Sequence, residues 1–312
     1  MAPRQITTQT ATIDGIETEY IFNIPNKHTV GFLEIKGAKF TGASWGVMLR
    51  AGNSGVFRST ADHYRHLFTG STTGVFSVVE LGLWLNTETT GQAEDINVEI
   101  WNLNTAAPII VAGQGGPPGN LEWRNFGMIP DATAYSQIRL VGFTTGEVTL
   151  QSGGTIVLTT WKRTNEVFTY VAGGETQNDF TGLSQYSAVA IASHDLVLSG
   201  ADNTQWQVST DGAVFDSGAS DYLTHNSATQ AAAVAMGISQ NSRTAQSMAG
   251  LFTNLNQPAP TQLVWYTEYQ ATTHIQMAGA RDAAQAEEAL RLDVVGAANM
   301  ASGTMYAVGY KI

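Results

Sequence analysis

Apolar and polar residues along this chain follow the short periods of β-strands. Residues 78–85, 155–161 and 262–268 alternate between apolar and polar side chains, or run apolar, over lengths typical of single strands. Clusters of Gly, Asn, Asp and Pro separate such segments, as turns separate the strands of a sandwich or jelly roll. The pattern predicts an all-β fold built from antiparallel sheets.

One hairpin and two helical candidates stand out within this pattern. Residues 206–209 form a strand pattern that leads into Asp211-Gly212, and Val214-Phe215 follows, which predicts a tight turn with positive φ angles. Residues 281–290 are rich in alanine and acidic residues, and we expect a short helix there within a loop. Residues 228–235 are also alanine-rich, whereas the repeat described next predicts strand or loop there.

The two halves of the sequence repeat one plan. Four groups of matching residues occur in the same order in both halves, about 150 residues apart. The groups are Val56-Phe57 with Val214-Phe215, Asn102-Leu103-Asn104 with Asn254-Leu255-Asn256, Ile138-Arg139-Leu140 with Leu290-Arg291-Leu292, and Gly154-Thr155 with Gly303-Thr304. Four collinear matches indicate an internal duplication.

The duplication divides the chain into two tandem antiparallel β-sandwich domains of jelly-roll type. We expect the domains at residues 20–162 and 180–312, with residues 1–19 as an N-terminal arm. Residues 163–179 include Gly173-Gly174 and polar neighbours, which is typical of a linker. A chain of 312 residues suits two domains of ordinary size.

Composition limits the partners of the chain. Charged residues make up 13%, whereas Gly, Thr, Ser, Ala and Asn are abundant, as expected where neighbouring subunits cover the surface. We therefore expect a homo-oligomer, in the form of a trimer. The net charge of −11 and the lack of a Lys/Arg run argue against nucleic acid as a partner and against anionic membrane surfaces.

The same composition removes several kinds of chemistry and targeting. The chain has no cysteine, which excludes disulfides, thiolate metal sites and thiol nucleophiles. Residues 1–20 are polar and Thr-rich, unlike a signal peptide, and no apolar stretch approaches the length of a membrane span. We expect no cofactor and no membrane insertion.

Motifs for catalysis or phosphate binding occur only in fragments. Gly42-Ala43-Ser44-Trp45-Gly46 fits a serine-hydrolase elbow, but the residues after it continue as strand instead of helix. Residues 113–119 are Gly- and Pro-rich but lack the Gly-Lys-Ser/Thr of a phosphate loop, and we expect a connecting loop. Glu287-Glu288 has no facing carboxylate, and a solvated face is the better interpretation. We expect no catalytic residues and no enzymatic activity.

Metal-binding side chains also fail to group. Residues 62–66 offer His63 and His66 beside a carboxylate, but no third clustered ligand is evident for zinc. Asp211, Asp216 and Asp221 could supply oxygen atoms to calcium, although no EF-hand pattern surrounds them. We expect no metal site.

Aromatic residues offer the best candidate for ligand contact. Trp45, Trp161 and Trp206 lie in strand patterns and are expected in the core. Trp123 follows the Gly/Pro segment and stands beside Arg124 and Asn125, a combination that can stack on a sugar and hydrogen-bond its hydroxyls. Trp123, Arg124 and Asn125 are therefore predicted to contact glycan, with packing or subunit contact as the alternative.

Residues 208–222 resemble a pattern of tailed-bacteriophage virion proteins. In that pattern a strand ending in Ser-Thr-Asp-Gly leads to Phe-Asp-x-Gly and a tyrosine, as Ser209-Thr210-Asp211-Gly212 does here. The domain then closes on Ser-Gly-Thr and an apolar strand with Tyr-Gly, similar to residues 302–310. The likeness covers most of the second copy and, more faintly, the first. It implies a tail-fibre, tail-tip or head-decoration protein with jelly-roll-like or lectin-like domains.

We interpret the chain as a non-enzymatic structural protein of the phage virion, associated with the tail and able to bind a host cell-surface glycan as receptor. Its partners would be other virion proteins and further copies of itself. A head-decoration or spike protein, a lectin-like carbohydrate-binding module and a polysaccharide depolymerase remain as alternatives. A depolymerase tailspike would show a long parallel β-helix with short repeats, whereas this repeat is about 150 residues long.

Overall fold

A computed structural model of the chain describes residues 5–39, 46–59, 65–69, 75–76, 83–85, 93–116, 123–143, 147–151, 153–218, 221–226, 229–233, 235–241, 246–269, 273–281 and 283–311. The fold is nearly all β-strand, and every paired strand is antiparallel to its neighbours. The chain divides into two compact units, Met1–Arg163 and Thr164–Ile312.

The first unit contains a large and a small sheet. Its strands are β1 Ile6–Ile13, β2 Glu19–Asn23, β3 His28–Lys39, β4 Gly46–Asn53, β5 Val56–Phe57, β6 Arg65–Thr69, β7 Val75–Phe76, β8 Leu83–Trp84, β9 Ala93–Trp101, β10 Ile109–Gly116, β11 Trp123–Ile129, β12 Gln137–Phe143, β13 Glu147–Val148 and β14 Gly154–Lys162. The large sheet has the order β1-β14-β3-β9-β10-β11-β6-β7. The small sheet is centred on β12 and β4, which β2, β13, β5 and β8 flank.

The second unit follows the same plan. Its strands are β15 Asn165–Val171, β16 Gln177–Phe180, β17 Ala188–Leu198, β18 Asp202–Ser209, β19 Tyr222–Asn226, β20 Thr229–Ala233, β21 Met236–Asn241, β22 Gln246–Thr253, β23 Gln262–Tyr269, β24 Thr273–Arg281, β25 Ala289–Val294 and β26 Met300–Tyr310. The large sheet has the order β15-β26-β17-β22-β23-β24-β19-β20, and the small sheet has the order β16-β25-β18-β21.

Twelve strands of the first unit, all except β5 and β13, match the twelve described strands of the second in topology. The large sheets match at all eight positions, and β2-β12-β4-β8 in the first small sheet matches β16-β25-β18-β21 in the second. The fold class predicted from the sequence, two antiparallel β-sandwiches from an internal duplication, is confirmed.

The segments predicted to lie outside the domains belong to the sheets. Within the expected arm, strand β1 pairs with β14 over its whole length. Within the expected linker, β15 pairs with β26, and β16 begins at Gln177 and pairs with β25. The Thr-rich arm and the Gly-Gly pair with polar neighbours in the linker suggested coil, but an edge strand exposes one face and tolerates polar residues.

Each unit buries its own core between its two sheets. The first core is mainly aliphatic, with Leu33, Leu49 and Ile156 fully buried. The second core is centred on Trp206, whose ring meets Phe180 at 6.5 Å and Phe252 at 5.3 Å between centroids. The prediction that Trp206 is a core residue is confirmed, whereas Trp161 is half-buried and Trp45 lies outside the described residues.

The predicted helix at residues 281–290 is wrong. Strand β24 ends at Arg281, a loop follows, and β25 begins at Ala289. Tyr222 pairs with Arg281 and Ser209 with Ala289, so sheet pairing at both ends overrides the helix propensity of the alanines. The other alanine-rich segment forms β20, as the repeat predicted.

The repeated Asn-Leu-Asn groups have a structural cause. Asn102 and Asn254 adopt left-handed backbone conformations with φ of 68° and 65°. Their side-chain amides donate to the carbonyls of Pro108 and Pro260, at 2.6 Å and 3.2 Å, which closes the loop between two strands of the large sheet. Asparagine tolerates this conformation better than other side chains do.

Replacing Asn102 with alanine should destabilise the first unit by about 2–3 kcal/mol, because the variant combines left-handed strain with a lost buried hydrogen bond. Asn102→Gly should recover only the part of this loss that comes from left-handed strain, because glycine also lacks the side-chain hydrogen bond. Asn254→Ala, at the less buried position, should cost less than Asn102→Ala. Urea unfolding of the three variants measures these differences, and equal stability of Asn102→Ala and the native chain would contradict the argument.

Candidate interaction site

The predicted glycan contacts lie on a strand instead of a loop. Trp123, Arg124 and Asn125 begin β11, which runs between β10 and β6 in the large sheet. Arg124 pairs with Gln114 on one side and Thr69 on the other. The side chains of Trp123, Arg124 and Asn125 lie outside the described residues, so their contact with glycan stays a prediction.

The Gly-rich segment before β11 was predicted to be a connecting loop, and this is wrong for its first part. Gly113 and Gly116 belong to β10, which pairs with β9, whereas residues 117–119 lie outside the described ranges. A Cβ at Gly113 would overlap the Asn97 carbonyl, so glycine permits a close approach of the strands there.

The serine and histidine motifs fall largely outside the description. Residues 42–45 and 62–64 are not described, and neither is the side chain of His66 in β6. Gly46 opens β4, so strand follows Ser44 and Trp45, as the sequence indicated. Within the described ranges, no three His, Asp or Glu side chains are arranged to hold a metal ion. No helix in those ranges is long and apolar enough to cross a membrane.

The three aspartates considered as calcium ligands each have a separate protein partner. Asp211 accepts hydrogen bonds from the backbone N–H groups of Ala213 and Val214, at 2.8 Å and 2.9 Å. Asp221 accepts from the Gly218 N–H at 2.5 Å, and Asp216 forms an ion pair with Arg281. The carboxylates thus stabilise the loop between β18 and β19.

The turn at Asp211-Gly212 is wider than the tight hairpin predicted. Gly212 has a φ of 74°, as expected, but the returning chain first pairs through the Asp216 N–H, which donates to the Val208 carbonyl at 3.0 Å. In the first unit the corresponding turn is tight: Ser54 and Gly55 both have positive φ, and Asn53 pairs with Val56.

A buried charge cluster lies beside this loop. Arg281 pairs with Asp216 and with Glu287, whose side chain is fully buried. Burial raises the pKa of both Glu287 and Asp216, and the guanidinium of Arg281 counteracts the rise. The solvated face predicted for Glu287-Glu288 is therefore wrong for Glu287, because Arg281 supplies the partner that makes its burial possible.

The first unit holds a milder polar group at the corresponding place. Arg58 follows Phe57 as Asp216 follows Phe215, and Tyr135 precedes β12 as Glu287 precedes β25. The Tyr135 hydroxyl donates to Asp131 at 2.6 Å and accepts from Arg58 at 2.9 Å. Both groups tie the chain that follows the turn after β4 or β18 to the segment that precedes β12 or β25.

Two further anchors of the repeat form one recurring contact. Arg139 pairs with Glu19 and lies 5.8 Å from the Phe57 ring centroid. Arg291 binds both oxygens of Asp179, at 2.6 Å and 2.8 Å, and lies 3.8 Å from the Phe215 ring centroid. A carboxylate and an aromatic face thus occupy each arginine, which indicates a role in folding.

Each large sheet ends on one side at its first strand, β1 or β15, and this edge is a candidate binding feature. Strand β1 pairs with β14 and β15 with β26, and no other described strand pairs with either one. The Lys162 N–H donates to the Gln5 carbonyl at 3.3 Å, and the Lys311 N–H donates to the Thr164 carbonyl at 3.0 Å. Since alternate residues direct their backbone groups to opposite edges, Thr8, Thr10, Val167, Thr169 and Val171 direct theirs to the open side.

Neither edge carries the features that usually prevent strand addition. Strand β1 has no charged residue, and β15 has only Glu166, whose carboxylate accepts a hydrogen bond from the Tyr186 hydroxyl. Both strands pair in regular register without a bulge or a proline. Outward-facing Ile6 and Val171 are 59% and 68% exposed. The two edges can therefore each accept a further strand.

The sequence pattern did not reveal these edges, because their residues had the character of an arm and a linker. The available signal was the density of β-branched residues, with Thr and Ile in β1 and Val and Thr in β15. Their alternation is weak because Thr occupies both faces of β1.

Comparisons with known proteins add little to this picture. No family model matches the chain, and no curated protein matches it. It is similar to mouse laminin α1 domains LG4-5 at 9% identity, with 97% of this chain and 89% of that chain covered and a TM-score of 0.25. It is also similar to the SPBc2 prophage-derived protein YomS (8% identity, 48% and 95% covered, TM-score 0.23) and the PBSX exported protein XepA (6% identity, 98% and 86% covered, TM-score 0.21). Such low TM-scores carry no argument about function.

Removing the Asp211 carboxylate should weaken the second unit in a pH-dependent way. Hydrogen bonds from Val214 and Ala213 hold the pKa of Asp211 below its ordinary value of 3.8. The carboxylate therefore contributes stability above that value, and the contribution is lost as pH falls through the lower folded pKa. Asp211→Ala should be less stable than the native chain at pH 7, and the difference should shrink below about pH 4. Asp211→Asn, which keeps an oxygen acceptor, is the control; a difference independent of pH would contradict this role.

Breaking the Arg281 cluster should be costly because the buried Arg281 guanidinium loses the more deeply buried of its two carboxylate partners. Glu287→Ala should destabilise the second unit by about 3–5 kcal/mol. Tyr135→Phe, at the matching place in the first unit, should cost about 1–2 kcal/mol because it removes the two partly exposed hydrogen bonds that the hydroxyl forms with Asp131 and Arg58. Chemical denaturation measures the free energy of unfolding of both variants. A smaller loss of stability for Glu287→Ala than for Tyr135→Phe would show that the second unit does not depend on the Arg281 cluster for its stability.

Proposed function

We propose that this chain is a non-enzymatic structural protein of a bacteriophage particle that assembles with further copies of itself and with other virion proteins. The observation that carries the proposal is the pair of open strand edges, β1 and β15, at the same place in both units. A soluble protein that acts alone usually blocks such edges with charge, proline or a bulge. Their retention in both copies favours assembly.

The surface charge supports the same role. Only 13% of residues are charged, and the chain carries a net charge of −11. Because this net charge opposes association between copies, contact is favoured where charge is absent, as along β1 and most of β15. The sequence resemblance of residues 208–222 and 302–310 to tailed-phage virion proteins supports the phage particle as the place where these copies assemble.

Phage particles purified from a host that carries this gene should contain the chain in many copies. Quantitative mass spectrometry of density-purified particles measures the copy number relative to the major capsid protein, and labelled antibody in the electron microscope locates it. An unassembled fraction from the same lysate is the control. A chain found only in that fraction would contradict the proposal.

A further inference from the structure

The edge strand of the second unit has a sequence that reads almost the same in both directions. Residues 167–171 of β15 are Val-Phe-Thr-Tyr-Val. Val167, Thr169 and Val171 face outward, and their backbone groups point to the open edge. Phe168 and Tyr170 face inward, and both are half-buried against the core of the second unit.

An antiparallel copy of this strand fits the edge in a specific register. When Thr169 of one copy stands opposite Thr169 of the other, Val167 meets Val171 on the outer face. Phe168 then meets Tyr170 on the inner face, twice by symmetry. Because opposite residues in this register have the same orientation, each inner face continues into the inner face of the other copy.

The backbone is available for the same register. Thr169 directs its N–H and its carbonyl to the open edge, so two such residues can exchange both hydrogen bonds. Aromatic pairs and β-branched pairs are the cross-strand combinations that stabilise sheets. The contact would also cover the exposed parts of Phe168 and Tyr170, where the core now ends at the edge.

We propose that two copies of this chain associate through β15, antiparallel about Thr169, so that their two eight-stranded sheets form one continuous sheet. The inference deepens the proposed structural role and rests on it for its biological purpose. An isologous contact of this kind closes at two copies, so it replaces the trimer expected from composition. Glu166 then lies opposite Ala172 of the other copy, so the two Glu166 carboxylates are not directly opposed.

The equivalent edge of the first unit is a poorer candidate for self-pairing. Two-fold pairing of β1 about Thr10, the position that corresponds to Thr169, would place Thr8 opposite Thr12 and Gln9 opposite Ala11, with no aromatic pair. The inward-facing Gln9 already donates to the Asn23 carbonyl at 2.7 Å. Strand β1 therefore supplies matched control positions, with Thr10 corresponding to Thr169 and Thr8 to Val167.

The test compares lysine at the two matched edges in the full chain. Thr169→Lys places two like charges opposite each other and should weaken dimerisation at least tenfold in sedimentation equilibrium. Thr10→Lys should leave the dimer unchanged. Circular dichroism and thermal unfolding verify that both variants are folded. Two results would overturn the proposal. One is a native chain that is monomeric at about 50 μM, a concentration well above the dissociation constants of typical stable dimers. The other is a dimer that Thr169→Lys leaves intact.

Charge pairing tests the register independently of folding. Val167→Lys should weaken the dimer, and adding Val171→Glu should restore it, since positions 167 and 171 of the two copies face each other and would then carry opposite charges.

The native chain has no cysteine, so Thr169→Cys introduces a unique thiol that should form a cross-linked dimer with a short bismaleimide. Thr10→Cys should not. Failure of both the charge rescue and the Thr169→Cys cross-link overturns this register.

These experiments separate the inference from the proposed function. A chain that is abundant in particles but does not dimerise through β15 retains its structural role and loses this contact. A chain that dimerises through β15 but is absent from particles retains the contact and loses the structural role.

Discussion

The pairing of each unit's last strand between its first and third strands is the constraint on which the rest of the structure depends. Strand β14 lies between β1 and β3, and β26 lies between β15 and β17. This arrangement connects the two ends of each unit within a single sheet, in a chain without disulfides. It also places the first strand outermost, so the open edge is a product of the topology.

The residues that the two units share are those that this topology requires. Asn102 and Asn254 close the same loop in left-handed conformations, and Arg139 and Arg291 each hold an acidic residue and a phenylalanine ring. Elsewhere the units differ, as in the arginine–carboxylate group around Arg281 and the tyrosine-centred group around Tyr135. The two units therefore share the residues that hold the backbone geometry and differ in the side chains that stabilise their loops.

Much of the fold could be predicted from the sequence because the duplication repeats its patterns, so that each copy supports the interpretation of the other. The anchors around Phe57, Asn102 and Arg139 identified the repeat, and Trp206 was correctly placed in the core. The edge strands were not recognised, since one exposed face and an abundance of threonine weaken alternation. The charge cluster was also missed: Glu287 meets Arg281 only after two strands have paired with their neighbours, and local sequence carries no sign of that encounter.

The position of the last strand also determines when each unit can fold during synthesis. Until β26 has left the ribosome, β15 and β17 have no strand between them, and the second large sheet lacks the strand that joins its first and third members. The first unit, in contrast, already has its joining strand once β14 has emerged. Since domains fold as units and earlier ones generally fold first, the nascent chain would carry one finished sandwich and one large sheet still without its joining strand for most of the second half of translation. Chaperone demand should therefore concentrate on the second unit, whose exposed segments include its apolar edge.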